Sequence, residues 1–204
     1  MVIAVLADET AKNELIAKGF PADVEVQWAD SIRSLTMIEA DIYFDLLFQF
    51  DAERIFRLKR LLPRLVFVNS VVNTCNEIGE GIGRINGWPT MIGRRIAEVA
   101  FTTDEERVRD VFTKMDWLYT RSPDITGMLT PRIISTIVNE AFFALGENIS
   151  TRDEIDTAMK LGTNYPFGPF EWAEKIGLEN IRELLSELSK TDARYMPAPM
   201  INLS

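Results

Sequence analysis

The 204-residue chain contains no histidine. That removes the commonest general base and the commonest metal ligand together. It has one cysteine, Cys75. A lone cysteine excludes an intrachain disulfide and fits a reducing, cytoplasmic setting. With no histidine to join it, a zinc ligand set cannot be assembled, and no metal site is expected. No long basic run interrupts a chain whose formal net charge is −9, so a nucleic-acid partner is not expected. Long hydrophobic runs are missing too. The opening run, Val2 to Ala7, is too short for a membrane span and has no basic residues before it, so it reads as a buried strand and no membrane partner is expected.

What remains is an ordinary globular composition, 47% apolar and 26% charged. Val2–Ala7 is β-branched and apolar on both alternating faces, as in a parallel strand covered on both sides. Thr10–Lys18 reads as a helix ended by Gly19, Val24–Trp28 as a strand, and Ser31–Met37 as a short helix. Ile42–Phe48 is a third strand. Asp51 caps a basic helix that runs through Leu62 to Pro63, and Leu65–Val68 is a fourth strand. Such alternation means βαβ units and a mostly parallel sheet. Thr74–Gly79 is a short helix. Gly79-Glu80-Gly81-Ile82-Gly83 reads as a turn before a strand over 84–88. A strand over 96–101 follows, then a helix over 104–115 capped by Thr102 or Thr103, and a last strand over 117–120.

Pro123, Asp124 and Gly127 mark a junction, giving an α/β domain over 1–122 and a helical domain over 123–204. Ile133, Ile134, Ile137, Val138, Ala141 and Phe142 form a stripe of period 3.6, with Arg132, Ser135 and Asn139 off it. Ser150 and Thr151 are candidate N-caps for the next helix, and Glu154 completes a capping box with Thr151. That helix stops at Gly162. Tyr165-Pro166-Phe167-Gly168-Pro169-Phe170 is a rigid aromatic corner, with Pro169 suited to open a further helix. Another helix covers 180–188, and the tail from Ala193 to Ser204 reads as extended.

The helical half carries a resemblance. Val138-Asn139-Glu140-Ala141, Glu154 to Gly162, Tyr165 to Glu171, Ile176-Gly177-Leu178 and Arg194 to Pro199 closely resemble the C-terminal domain of 3-hydroxyacyl-CoA dehydrogenases. Ala40-Asp41-Ile42, Val68-Asn69-Ser70 and Ala97-Glu98-Val99 extend the likeness into the first half. The resemblance implies a Rossmann-like domain that takes NAD. It implies a second, small all-α domain of the 6-phosphogluconate dehydrogenase C-terminal type, which forms a homodimer and helps shape an acyl-CoA site. The implied reaction is reversible oxidation of a 3-hydroxyacyl-CoA, with a histidine base oriented by a glutamate and assisted by an asparagine.

The chain departs from that pattern where the chemistry lies. Leu6-Ala7-Asp8-Glu9-Thr10-Ala11 holds no glycine where the family's glycine fingerprint lets the backbone approach the diphosphate. The cofactor-side candidates are Asp8, Asp30 after the second strand, and Asn69 at the end of the fourth. The histidine belongs in the segment Gly87-Trp88-Pro89-Thr90-Met91, which has none, and the assisting asparagine falls on Pro131. Glu98 stands at the orienting position and Ser70 at a strand end, so these two are the catalytic candidates. Cys75 reads as buried and inert. Two expectations follow. One is a 3-hydroxyacyl-CoA dehydrogenase-like oxidoreductase with divergent sites. The other is a non-catalytic dimeric binding or regulatory relative, for example one that takes a short CoA thioester.

Overall fold

The opening apolar run forms β1 (Val2–Leu6), and its alternate residues enter two different cores. Ile3 and Val5 pack into one cluster with Phe44, Phe67, Phe112 and Trp117; Ala4 and Leu6 pack into another with Leu35, Tyr43, Leu58 and Val66. Both faces are covered, which is why the run shows no polar alternation. The computed structural model describes residues 1–202, and it divides into two units, Met1–Met128 and Leu129–Ser204.

In the first unit, β1 is followed by α1 (Glu9–Lys18), β2 (Glu25–Ala29), α2 (Ile32–Leu35), β3 (Ile42–Asp45), α3 (Ala52–Lys59), β4 (Leu65–Asn69), α4 (Cys75–Ile78), β5 (Ile82–Ile85), β6 (Ile96–Ala100), α5 (Glu105–Lys114) and β7 (Leu118–Arg121). The seven strands form one sheet in the order β2-β1-β3-β4-β5-β6-β7. Every pairing is parallel except β5 with β6. The chain reverses direction across β1, so the topological switch point lies between β1 and β3, the usual place for a ligand crevice in an open α/β sheet. This is the expected Rossmann-like α/β architecture.

Some local expectations shift. The fifth strand begins at Ile82, so Gly83 lies inside it and the glycine-rich turn ends at Gly81. The cap of α5 is Asp104, whose carboxylate accepts the Glu106 N–H at 3.0 Å, in place of either threonine. A carboxylate at a helix start gains the dipole as well as the hydrogen bond. Ser122 to Gly127, where the sequence suggests a junction, is folded into the first unit. The Gly127 N–H donates to the Val71 carbonyl at 2.8 Å, and Asp124 pairs with the fully buried Arg84 at 2.8 Å.

The second unit holds α6 (Thr130–Gly146), α7 (Arg152–Thr163), α8 (Pro169–Ile176) and α9 (Leu178–Ser189), then two 3₁₀ turns, Ala193–Tyr195 and Pro199–Asn202. Ile134, Val138, Ala141 and Phe142 of the predicted stripe are buried, while Ile133 is 49% exposed. Ser135 and Asn139, read from sequence as off the stripe, are also buried. Asn139 has a reason. Its side-chain amide donates to the Met196 carbonyl at 2.9 Å, and its oxygen accepts the Ala198 N–H at 2.8 Å. One asparagine thereby ties the tail to α6. The tail is not a loose extended strand: Tyr195, Ala198 and Ile201 are buried. Its last two residues, 203 and 204, lie outside the described residues.

The capping box at Thr151 and Glu154 forms as the sequence suggests. The helix it opens runs past Gly162 and ends at Asn164, which takes the left-handed cap conformation at φ 56°. Beyond it, the aromatic corner is closed by a carboxylate. Asp156 reaches from α7 to the start of α8 and accepts the N–H groups of Phe170 at 2.8 Å and Glu171 at 3.2 Å. Gly168 permits this, because any side chain there would collide with the Asp156 carboxylate. Glu171 accepts the Gly168 N–H at 2.9 Å and is bridged by Lys160 of α7. These contacts set α7 against α8. Asp156→Ala should destabilise the protein by on the order of 2 kcal/mol, as expected for losing charge-assisted hydrogen bonds. Asp156→Asn, which keeps one acceptor, should cost less, and Gly168→Ala should cost about as much as Asp156→Ala through overpacking. Urea unfolding of the three variants measures the order.

Candidate functional site

The carboxyl ends of β1, β3 and β4 flank the switch point. After β1 the chain enters α1 through Asp8. Its carboxylate accepts the Ala11 N–H at 2.8 Å, which makes it the N-cap. A helix N-terminus attracts anions through its unpaired N–H groups and its dipole. Here the protein supplies the anion itself, and Glu9 adds a second negative charge in the first turn.

Across the switch point, β3 ends at Asp45, a fully buried residue that the sequence reading leaves inside an apolar strand. Arg54, on α3, holds it with two bonds, Nε to Oδ2 at 2.7 Å and Nη2 to Oδ1 at 2.6 Å. Burial pushes the Asp45 carboxyl above its ordinary pKa, and the Arg54 guanidinium opposes that rise. The only sequence signal for this pair was a single acid interrupting the run Ile42–Phe48.

Asn69 closes β4. Its amide donates to the Leu46 carbonyl at 3.3 Å and its oxygen accepts the Gly87 N–H at 3.0 Å, so it links the ends of β3, β4 and β5. A Cβ on Gly87 would come within 2.7 Å of the Asn69 side chain. Ser70 is buried and donates to the Asn73 carbonyl at 3.1 Å, inside a turn that Arg84 also grips through the Asn73 carbonyl at 2.9 Å. Asp30 lies one residue beyond β2. It accepts the hydroxyls of Ser34 at 2.6 Å and Ser31 at 3.1 Å, which hold its carboxyl below the usual range.

Glu98 sits in β6 and is buried. Ser122 donates to one of its oxygens at 2.6 Å and the Asn86 amide to the other at 3.3 Å. The segment from Gly87 to Gly93 is pinned to α1 by Glu14, which accepts the N–H groups of Thr90 at 2.6 Å and Gly93 at 3.2 Å. Nothing in the sequence pattern singled out Glu14. Pro131 takes a first-turn position of α6, where a missing N–H costs nothing. Cys75 is buried, and its thiol is pushed up to about 11, first by burial and then by Asp124. Among the described residues there is no cluster of three or more metal-ligating side chains and no helix long and apolar enough to cross a membrane.

The switch point therefore brings together Asp8, Asp45, Arg54, Asn69 and Ser70, each already bonded within the protein, while Asp30 and Glu98 have partners of their own. The Asp45–Arg54 pair carries a pH signature. With its folded pKa raised, Asp45 binds a proton more readily in the folded than in the unfolded state, so its contribution weakens stability as pH rises through that window. Without Arg54 the rise would be larger. Arg54→Met should cost about 3–5 kcal/mol at neutral pH, the range for leaving a buried charge unpaired. The loss should shrink as the pH is lowered and Asp45 takes up its proton. Urea titrations of both proteins across a pH series measure the trend.

Comparison with known proteins agrees with this architecture. Residues 127–203 match the model of the 3-hydroxyacyl-CoA dehydrogenase C-terminal domain. The chain is 40% identical over 80 residues to 3-hydroxyadipyl-CoA dehydrogenase of Escherichia coli K12, covering 38% of this chain and 17% of that protein. It is 30% identical over 128 residues to a probable 3-hydroxybutyryl-CoA dehydrogenase of Bacillus subtilis 168, covering 59% and 44%. The matched region thus spans less than half the length of these curated relatives. Among solved structures, FadB2 of M. tuberculosis superposes with a TM-score of 0.77 at 12% identity, covering 98% of this chain and 92% of that one. (S)-3-hydroxybutyryl-CoA dehydrogenase PaaH1 of Ralstonia eutropha gives 0.71 at 17%, covering 99% and 92%. At those identities the superpositions establish the fold. The family match therefore rests on the helical unit, whose residues 127–203 resemble the 3-hydroxyacyl-CoA dehydrogenase C-terminal domain.

Proposed function

We propose that this chain is a dimeric, non-catalytic relative of the 3-hydroxyacyl-CoA dehydrogenases, a binding or regulatory module that takes a short CoA thioester or acts beside an active dehydrogenase. The observation that carries this reading is the Asp8 carboxylate on the first turn of α1. In a Rossmann-like fold the dinucleotide diphosphate rests on that turn, and glycines make room for it. Here a diphosphate would meet the side chains of Ala7, Asp8 and Glu9 and two like charges. The residues present do not fit NAD.

The groups that would move protons support the same reading. The chain has no histidine, and a positioned base supplies roughly 10²–10⁴-fold of rate. Glu98 bonds to Ser122 and Asn86, Asn69 joins strand ends, and Ser70 closes a turn. Each of these roles is structural. Homodimer formation through the helical unit is part of the proposal. Leu161 on α7 is 83% exposed and Ile149 before it is 69% exposed, apolar surface of the kind that a second subunit covers.

Two measurements test this. Calorimetric titration with NADH should give no saturable heat, and incubation with NAD⁺ and 3-hydroxybutyryl-CoA should give no protein-dependent NADH; robust turnover would remove the non-catalytic reading in favour of a divergent oxidoreductase. Sedimentation at micromolar concentration should give twice the chain mass, and Leu161→Glu should move it to the monomer. A wild-type chain that sediments only as monomer would refute the dimer.

A further inference from the structure

Away from the strand ends, the first unit has an open cleft of about 600 Å³ between the end of α1, the loop before β6 and the start of β7. That volume falls in the range of small-molecule sites. Lys18 and Arg95 line it, with Phe20, Pro21 and Leu118 as its apolar wall and Asp116 as its one carboxylate. Two cations meet one acid here, in a chain that is otherwise strongly acidic.

The cleft is built on Trp117. Its indole N–H donates to the Arg94 carbonyl at 2.9 Å, which fixes the backbone beside Arg95. The same ring lies 4.8 Å from the Lys18 ammonium, which also stands 4.3 Å from the centre of Phe20. Phe20 meets Trp117 edge-on at 6.1 Å. One turn before Lys18, Glu14 clamps the loop through Thr90 and Gly93. Lys18 is thus held against one buried ring, the backbone next to Arg95 is fixed by the same ring, and the two walls are tied together. Asp116, at φ 47°, is the left-handed residue that ends α5, and the Trp117 N–H that follows it donates to the Phe112 carbonyl at 3.0 Å. Burial lowers the Lys18 pKa, so an arriving anion would recover charge stabilisation that the ammonium has lost to water.

We infer that this cleft binds a small organic anion, a carboxylate or phosphate group held between Lys18 and Arg95 with an apolar body against Phe20, Pro21 and Leu118. Holding Lys18 in place spares the entropy of ordering that side chain on binding, and the exposed Arg95 closes on the anion from a fixed stretch of backbone. The site is separate from the switch point and does not depend on whether NAD binds there.

The test is an amide NMR titration of the full chain at low salt with two probes, sodium butyrate and inorganic phosphate, against sodium chloride as control. Saturable shifts confined to the amides around Lys18–Phe20, Gly93–Arg95 and Asp116–Leu118 are expected with at least one probe. Tighter binding of butyrate would assign a carboxylate with an apolar tail; tighter binding of phosphate would assign a phosphoryl group. Arg95 is exposed, so Arg95→Gln should fold normally and weaken binding at least about tenfold, the loss expected for one charge-assisted contact. Lys18→Gln should do the same, and Arg60→Gln, at the C-cap of α3, should have no effect. Shifts no larger than those with chloride, shifts centred elsewhere, or unchanged affinity in Arg95→Gln would each overturn the assignment.

Discussion

A carboxylate at a helix N-terminus is the interaction on which both halves of this protein depend. Asp8 caps α1, Asp51 caps α3 and Asp104 caps α5, each accepting an N–H from its own first turn. Asp124 does the same from a distance for α4, accepting the N–H groups of Cys75 at 2.9 Å and Asn76 at 3.4 Å, and Asp156 does it for α8. A side-chain cap is worth about 0.5–2 kcal/mol. Those from Asp124 and Asp156 also join segments distant in sequence. Part of the acid excess is therefore structural. These carboxylates sit on positive helix ends, where net negative charge is least costly.

The same interaction shapes what the fold can do. A helix N-terminus offers its donors either to a ligand or to the chain. At α1 the Asp8 carboxylate has taken one of them, the Ala11 N–H, in the place where this architecture ordinarily receives phosphate. At the carboxyl ends of β3 and β4, Asp45 is matched by Arg54 and Asn69 by two backbone groups. Each of these polar groups is satisfied within the chain. That stabilises the sheet edge and lowers its affinity for anything that would displace those bonds.

The sequence disclosed the architecture because the relevant signals are local. Apolar runs of period two and period 3.6, caps such as Thr151 with Glu154, and the corner from Tyr165 to Phe170 each act within a few residues. It disclosed the site less well, because the deciding partners are remote. Arg54 binds an acid nine residues earlier across a strand–helix turn, and Glu14 binds amides 76 and 79 residues later. Asn139 was placed off the helix stripe by periodicity alone, whereas its partners are backbone groups 57 and 59 residues on, in a tail with no regular pattern to predict them. Asp8 was legible as an acid in the wrong place for a diphosphate. That it is a cap is shown by its bond to the Ala11 N–H.

Glycine usage sharpens the point. The chain places glycine where one part of its own structure must approach another: Gly168 lies beneath the Asp156 carboxylate, and Gly87 lies against Asn69. Between β1 and α1, where only an approaching ligand would call for glycine, there is none. Substituting either of those two glycines would disturb internal packing, while the β1–α1 turn carries the side chains of Ala7, Asp8 and Glu9. A fold can keep the geometry of a dinucleotide-binding domain without the ligand, because the sheet, the caps and the corner are each held by contacts within the chain. That separation of scaffold from site explains how a close likeness in the helical unit coexists with a crevice whose polar groups are bonded within the chain.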